Sequence, residues 1–120
     1  MQTPLDRLRA LCLAFPGTSE RLSHGTPAWF INEQRQFVMY LSDHHGDDRI
    51  RFWCAAPPGA QEALVATRPQ QFFRPPYVGH RGWLGVYLHL PVDWDEIAGI
   101  VEEAYRRVAP AKLLAQLEAV

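Results

Sequence analysis

The 120-residue chain is 48% apolar and 12% aromatic, which suits one compact hydrophobic core, is too short for two, and excludes a disordered polymer. Its formal net charge of -1 excludes a global positive field drawing in phosphate, so any nucleic-acid site must be a local patch. Cys12 and Cys54 are the only cysteines; they supply neither a disulfide framework nor a four-ligand zinc set, and point to a reducing interior.

The first segment, TPLDRLRALCLAFPG, places Thr3 as a helix cap, Pro4 at the first helical position and Asp6 at the third. Leu5, Leu8, Leu11, Cys12 and Phe15 fall on one face, so this helix should run to about Phe15 and cover a sheet. Asp6, Arg7 and Arg9 interrupt the apolar pattern as no signal-peptide core would, and no apolar run reaches the roughly 18 residues of a membrane span. A cytoplasmic location is the expectation.

From Glu20 to Ala56 the period changes to two. HGTPAWFI, QFVMYLS and RIRFWCAA are separated by NEQR and DHHGDD, the pattern of antiparallel hairpins. In the first of these, Gly25 and Pro27 set a bend while Trp29 or Phe30 enters the core; a ligand contact by His24 is the less favoured reading. GAQEALVAT then predicts a short helix with Ala60, Leu64 and Val65 inward, ended by Pro69. QFFRPPYV reads as an irregular edge strand because proline donates no ladder bond, GHRG as a turn, and WLGVYLHL as a strand.

Asp93 caps the next helix with Glu96 at capping-box spacing, and Ile97, Ile100, Val101, Ala104, Tyr105 and Val108 form its apolar stripe. Pro110 opens a last short helix carrying Leu113, Leu114 and Leu117. Strands paired locally and interrupted by helices predict a single α+β domain over residues 1–120, with an antiparallel sheet of five or six strands and helices mainly on one face.

Three stretches, FPGTSERLSHGTPAWFI, FFRPPYVGHRGWLGVYL and VDWDEIAGIVEEAYRRVAPAKL, together resemble the MmcQ/YjbR family of small bacterial proteins over essentially the whole chain. The residues carrying the resemblance are His24, Gly25, Pro27 and Ala28 with Trp29 and Phe30, then Phe73, Pro75, Tyr77, Gly82 and Trp83. The resemblance implies a CyaY-like α+β fold whose two hairpin wings are similar to the double-wing motif of a phage transcription factor. DNA binding is implied by that fold analogy alone. It implies no catalytic residues.

Strand parity sorts Ile50, Phe52 and Cys54 from Arg49, Arg51 and Trp53, and Leu84, Val86, Leu88 and Leu90 from Trp83, Gly85, Tyr87 and His89. If the two strands are neighbours, Arg49, Arg51, Trp53, Trp83, Tyr87 and His89 make a basic, aromatic patch away from the helices. Guanidinium groups bind phosphate and aromatic faces stack bases, which suits nucleic acid. The plainer reading, and the preferred description of these side chains, is that Trp53 and Trp83 pack on Tyr87 or a dimer mate while the arginines are solvated or paired.

Arg74, His80 and Arg81 form the one plainly basic loop, whereas the DHHGDD tip carries Asp43, Asp47 and Asp48, which repel phosphate. His44 and His45 beside those aspartates suit a metal only in a bent loop, so no metal is expected. Cys54 with His89 and Cys12 with His24 are conceivable nucleophile pairs, but both cysteines lie on apolar faces. Gly79, Gly82 and Gly85 precede no helix and make no phosphate loop. The expectation is a non-enzymatic protein without a cofactor, binding DNA through a local basic and aromatic surface made of Arg49, Arg51, Trp53, Arg74, His80, Arg81, Trp83 and Tyr87. The alternative is an adaptor whose aromatic face meets a protein partner or a second copy.

Overall fold

The computed structural model describes residues 2–42 and 49–119. The expectations for Asp43, His44, His45, Asp47 and Asp48 lie outside the described residues. Among the latter no helix is long and apolar enough to cross a membrane.

Helix α1 (Pro4–Leu13) begins as its sequence requires. Thr3 Oγ1 accepts from the Asp6 amide at 3.1 Å while the Thr3 amide donates to Asp6 Oδ2 at 3.0 Å, a reciprocal capping box. The Thr3 amide first, and then its hydroxyl, hold the Asp6 carboxyl below the ordinary carboxylate range. The chain continues through β1 (Thr18–Ser23), β2 (Thr26–Ile31), β3 (Arg35–Leu41), β4 (Arg51–Cys54), α2 (Ala60–Thr67), β5 (Phe72–Phe73), a 3-10 turn (Gly79–Arg81), β6 (Leu84–Tyr87), α3 (Trp94–Val108) and α4 (Ala111–Glu118).

The strands form one antiparallel sheet in the order β1-β2-β3-β4-β6-β5. Glu20, Trp29, Val38, Cys54 and Leu84 are successive cross-strand partners and therefore share one face. That face meets the helices: Arg9 of α1 binds Glu20 through Nε at 2.7 Å, and Trp29 Nε1 donates to the same carboxylate at 2.9 Å. Tyr105 of α3 stacks on Phe15 at 4.6 Å, meets Phe37 edge-on at 5.8 Å and donates its hydroxyl to Pro16 O at 2.6 Å. The stripe expected on α3 is in place, with Ile97, Val101, Ala104 and Tyr105 fully buried.

Three local differences from the sequence reading have physical causes. The sequence pattern does not predict β1, because TSERLS lacks an apolar alternation; the strand is held by pairing along the whole of β2 and by the Glu20 bonds, while its Leu22 stays exposed. His24 and Gly25, both at positive φ, form the two-residue turn between these strands. In β2 both Trp29 and Phe30 are buried, although adjacent strand residues should face opposite ways. They do: Trp29 meets the helices, Phe30 lies under Arg21 on the far side at 3.7 Å, and a bulge places Phe37 as the extra residue of β3. Finally, Glu96 does not return to the α3 cap; Asp93 accepts from the Asp95 amide, and Glu96 instead takes a forked contact from Arg68 at 2.5 and 2.9 Å.

Candidate functional site

The second face of the sheet lies opposite the one that meets α1 and α3, although the ends of both helices, at Leu5 and at Arg107 and Val108, reach its margin. Cross-strand pairing sets Ala28, Met39, Trp53, Gly85 and Phe73 in one row across it, and Leu41, Arg51 and Tyr87 in the next. The row is possible only because Gly85 has no side chain: a Cβ there would stand 2.4 Å from the Phe73 ring. Phe73 in turn packs on Tyr87 at 4.5 Å, and Tyr87 on His89 at 5.2 Å.

A groove follows this face along β3 and β4, about 20 Å at the rise of a strand. Met39 and Trp53 line its middle, Thr26 and Arg51 one end, Gln36 and Ala55 the other, and the segment from Tyr77 to Trp83 supplies a wall. That wall is pinned from below by Gln61 of α2. Its buried side-chain amide donates to Gly79 O at 2.8 Å and to Trp83 O at 2.5 Å. Arg81 then lies 5.6 Å from the centroid of the Trp83 ring.

The electrical character of the groove differs from that of the chain. His24, Arg35, Arg51, Arg81 and Arg107 line it, and no carboxylate does so among the described residues. Carboxylates of the helical side are committed elsewhere: Glu20 to Arg9, Glu96 to Arg68, Glu102 and Glu118 to Arg106. One donor in the groove lacks a partner. Trp53 is only 8% exposed, and its Nε1 is buried with no acceptor among the described residues.

The fold brings Arg51, Trp53, Arg81 and Trp83 into the groove, and β4 and β6 are neighbours as the parity argument required. Trp53 and Trp83 are 8% and 7% exposed and form the floor and the wall, packed as the plainer reading has them, so neither offers an open face for stacking. Arg49, Arg74, His80 and Tyr87 do not line the groove. Arg49 is exposed ahead of β4 and its carbonyl accepts from Arg51 at 2.8 Å; Arg74 lies against Gly79; His80 is exposed on the 3-10 turn; Tyr87 is half-buried in its aromatic contacts.

The Cys-His pairs do not form a site. Cys54 faces the helices and Cys12 is buried in α1, whereas His89 and His24 are exposed, the first against Tyr87 on the other face and the second in the β1–β2 turn. Burial pushes the Cys54 thiol up to about 12 and that of Cys12 well above its usual value, the reverse of what a nucleophile needs.

Sequence reasoning missed Tyr77, Arg35, Arg107 and Gln61 as parts of the groove. Tyr77 is 86% exposed at φ 65°, a region a tyrosine rarely occupies, on the rim of the groove. A tyrosine between Pro76 and Val78, in a proline-glycine loop, was the signal available for it. Arg35 and Arg107 come from the start of β3 and the end of α3, and only the closed fold makes them neighbours of one groove.

An open antiparallel sheet backed by helices on one side and grooved on the other is the class of protein these features define. The family model for YjbR matches residues 13–107, and the chain belongs to the YjbR family. A crystal structure of Deinococcus radiodurans protein DR2400, a protein with the domain DUF419, shares the fold: the TM-score is 0.77 at 20% identity, over 98% of this chain and 92% of that one. No curated protein matches the sequence.

Proposed function

We propose that this protein is a non-catalytic nucleic-acid-binding module whose site is the groove on the open face of the sheet. The observation that carries the reading is charge sorting. A chain of net charge -1 gathers Arg35, Arg81 and Arg107 along one groove that no described carboxylate lines. Such a strip attracts a polyanion locally where the whole molecule does not. Arginine is well suited to the task because its planar fork matches phosphate oxygens. The adaptor alternative draws less from the fold, since its expected aromatic contacts, Trp53 and Trp83, are buried. The two buried, proton-retaining thiols stand apart from the histidines, so the reading uses neither Cys-His pair.

The test is a titration of a labelled oligonucleotide at about 50 and 200 mM salt, the range over which phosphate contacts weaken most visibly. Binding that falls with salt and is weakened by Arg81→Ala is the expected outcome. No binding at high micromolar protein, or binding indifferent to both salt and Arg81, overturns the reading.

A further inference from the structure

We infer that the occupant of the groove is a single strand rather than a duplex, held by a base stacked on Tyr77 and by a phosphate on the guanidinium of Arg81. The inference rests on the nucleic-acid reading above and narrows it.

Shape argues first. Base edges of a duplex are read by something that protrudes, a helix or a two-stranded ribbon entering the major groove. Here the basic strip is a recess, with Met39 and Trp53 buried in its floor and the Gly79–Trp83 segment rising at its side. A recess of this kind takes a single backbone, with its bases free to turn onto protein groups.

One side chain then finds a use that the fold does not give it. Tyr77 contributes nothing to the core at 86% exposure, yet it is held at φ 65° on the rim, fixed behind Pro75 and Pro76, with the Val78 amide bonded to Pro76 O at 2.7 Å. An aromatic ring displayed in a conformation costly to its backbone is the arrangement of a contact surface. Arg81, against Trp83, brings the charge that holds the backbone nearby.

Binding is measured by anisotropy with a labelled thymidine oligomer, its single-stranded RNA counterpart and a mixed-sequence duplex, for the natural protein and for Tyr77→Ala, Tyr77→Phe and Arg81→Ala. The single strands bind at least 10-fold more tightly than the duplex. Tyr77→Ala lowers single-strand affinity about 10-fold, Tyr77→Phe leaves it nearly unchanged, and neither alters the thermal midpoint because the ring is outside the core. Equal affinity for duplex and single strand, or a Tyr77→Ala protein that binds as well as the natural one, overturns this inference. If Arg81→Ala still weakens binding in that case, the nucleic-acid reading survives it. If none of the three ligands binds, both fall. A preference for RNA over the thymidine oligomer keeps the inference and assigns the strand.

Discussion

Cys54 and Cys12 illustrate how a side chain's surroundings decide its chemistry. Both thiols are buried between α1 and the sheet, and desolvation opposes their ionisation. Neither should react with a thiol reagent at pH 8 in the folded protein, and both should do so after unfolding in denaturant. Rapid labelling of the native protein would contradict the packing. The same burial sets an alkaline limit: above the ordinary thiol value of 9.0 the unfolded chain releases protons that the folded one keeps up to about 12 at Cys54. Stability therefore falls as pH rises through that window, and Cys54→Ala should make the fall shallower in urea titrations at pH 8 and 10.5. Gly85 makes the opposite point, that an absent side chain can be the requirement. Gly85→Ala drives a methyl into the Phe73 ring and should cost about 1–3 kcal/mol. In a double-mutant cycle with Phe73→Ala most of that cost should disappear, and additive effects would mean that the backbone rather than the ring is responsible.

The elements most readable in the sequence are those whose signal is local. Thr3, Pro4 and Asp6 define the start of α1 without reference to anything distant, and Thr3→Ala should lower stability by about 1 kcal/mol in chemical denaturation. The stripe on α3 is legible for the same reason. Strand β1 is not, because its pairing with β2 and the Arg9–Glu20–Trp29 contacts come from three separate segments. Parity correctly puts Trp53 and Trp83 on the face away from the helices, but parity says which way a side chain points and nothing of what then covers it. The wall of the groove belongs to this class of hidden features. Gln61, a polar residue in an otherwise plain short helix, holds the carbonyls of Gly79 and Trp83. Gln61→Leu leaves both without that donor, which should cost about 1–3 kcal/mol. Amide exchange should rise in residues 78–83 before it rises in the sheet, and uniform exchange throughout would remove Gln61 from this role.

The whole molecule separates its charges by face. Arg9, Arg68 and Arg106 meet carboxylates among the helices and their margins, while Arg35, Arg81 and Arg107 arrive at the groove from the start of β3, the 3-10 turn and the end of α3. No window of the sequence contains that assembly, which is why composition suggests only that a patch must be local. It also makes the extent of the occupant measurable. Removing one phosphate-binding charge from a single-strand complex flattens the dependence of log K on log salt by about 0.7. If a strand follows the groove from end to end, Arg35→Ala, Arg81→Ala and Arg107→Ala should each reduce the slope by about that amount, and the triple variant by about 2. If Arg81→Ala alone moves it, the strand is held only beside Tyr77 and Trp83, and Arg35 and Arg107 are solvated neighbours of a shorter site. If the three variants lower affinity with no change of slope, they act by distorting the groove, and the charge sorting is not what binds.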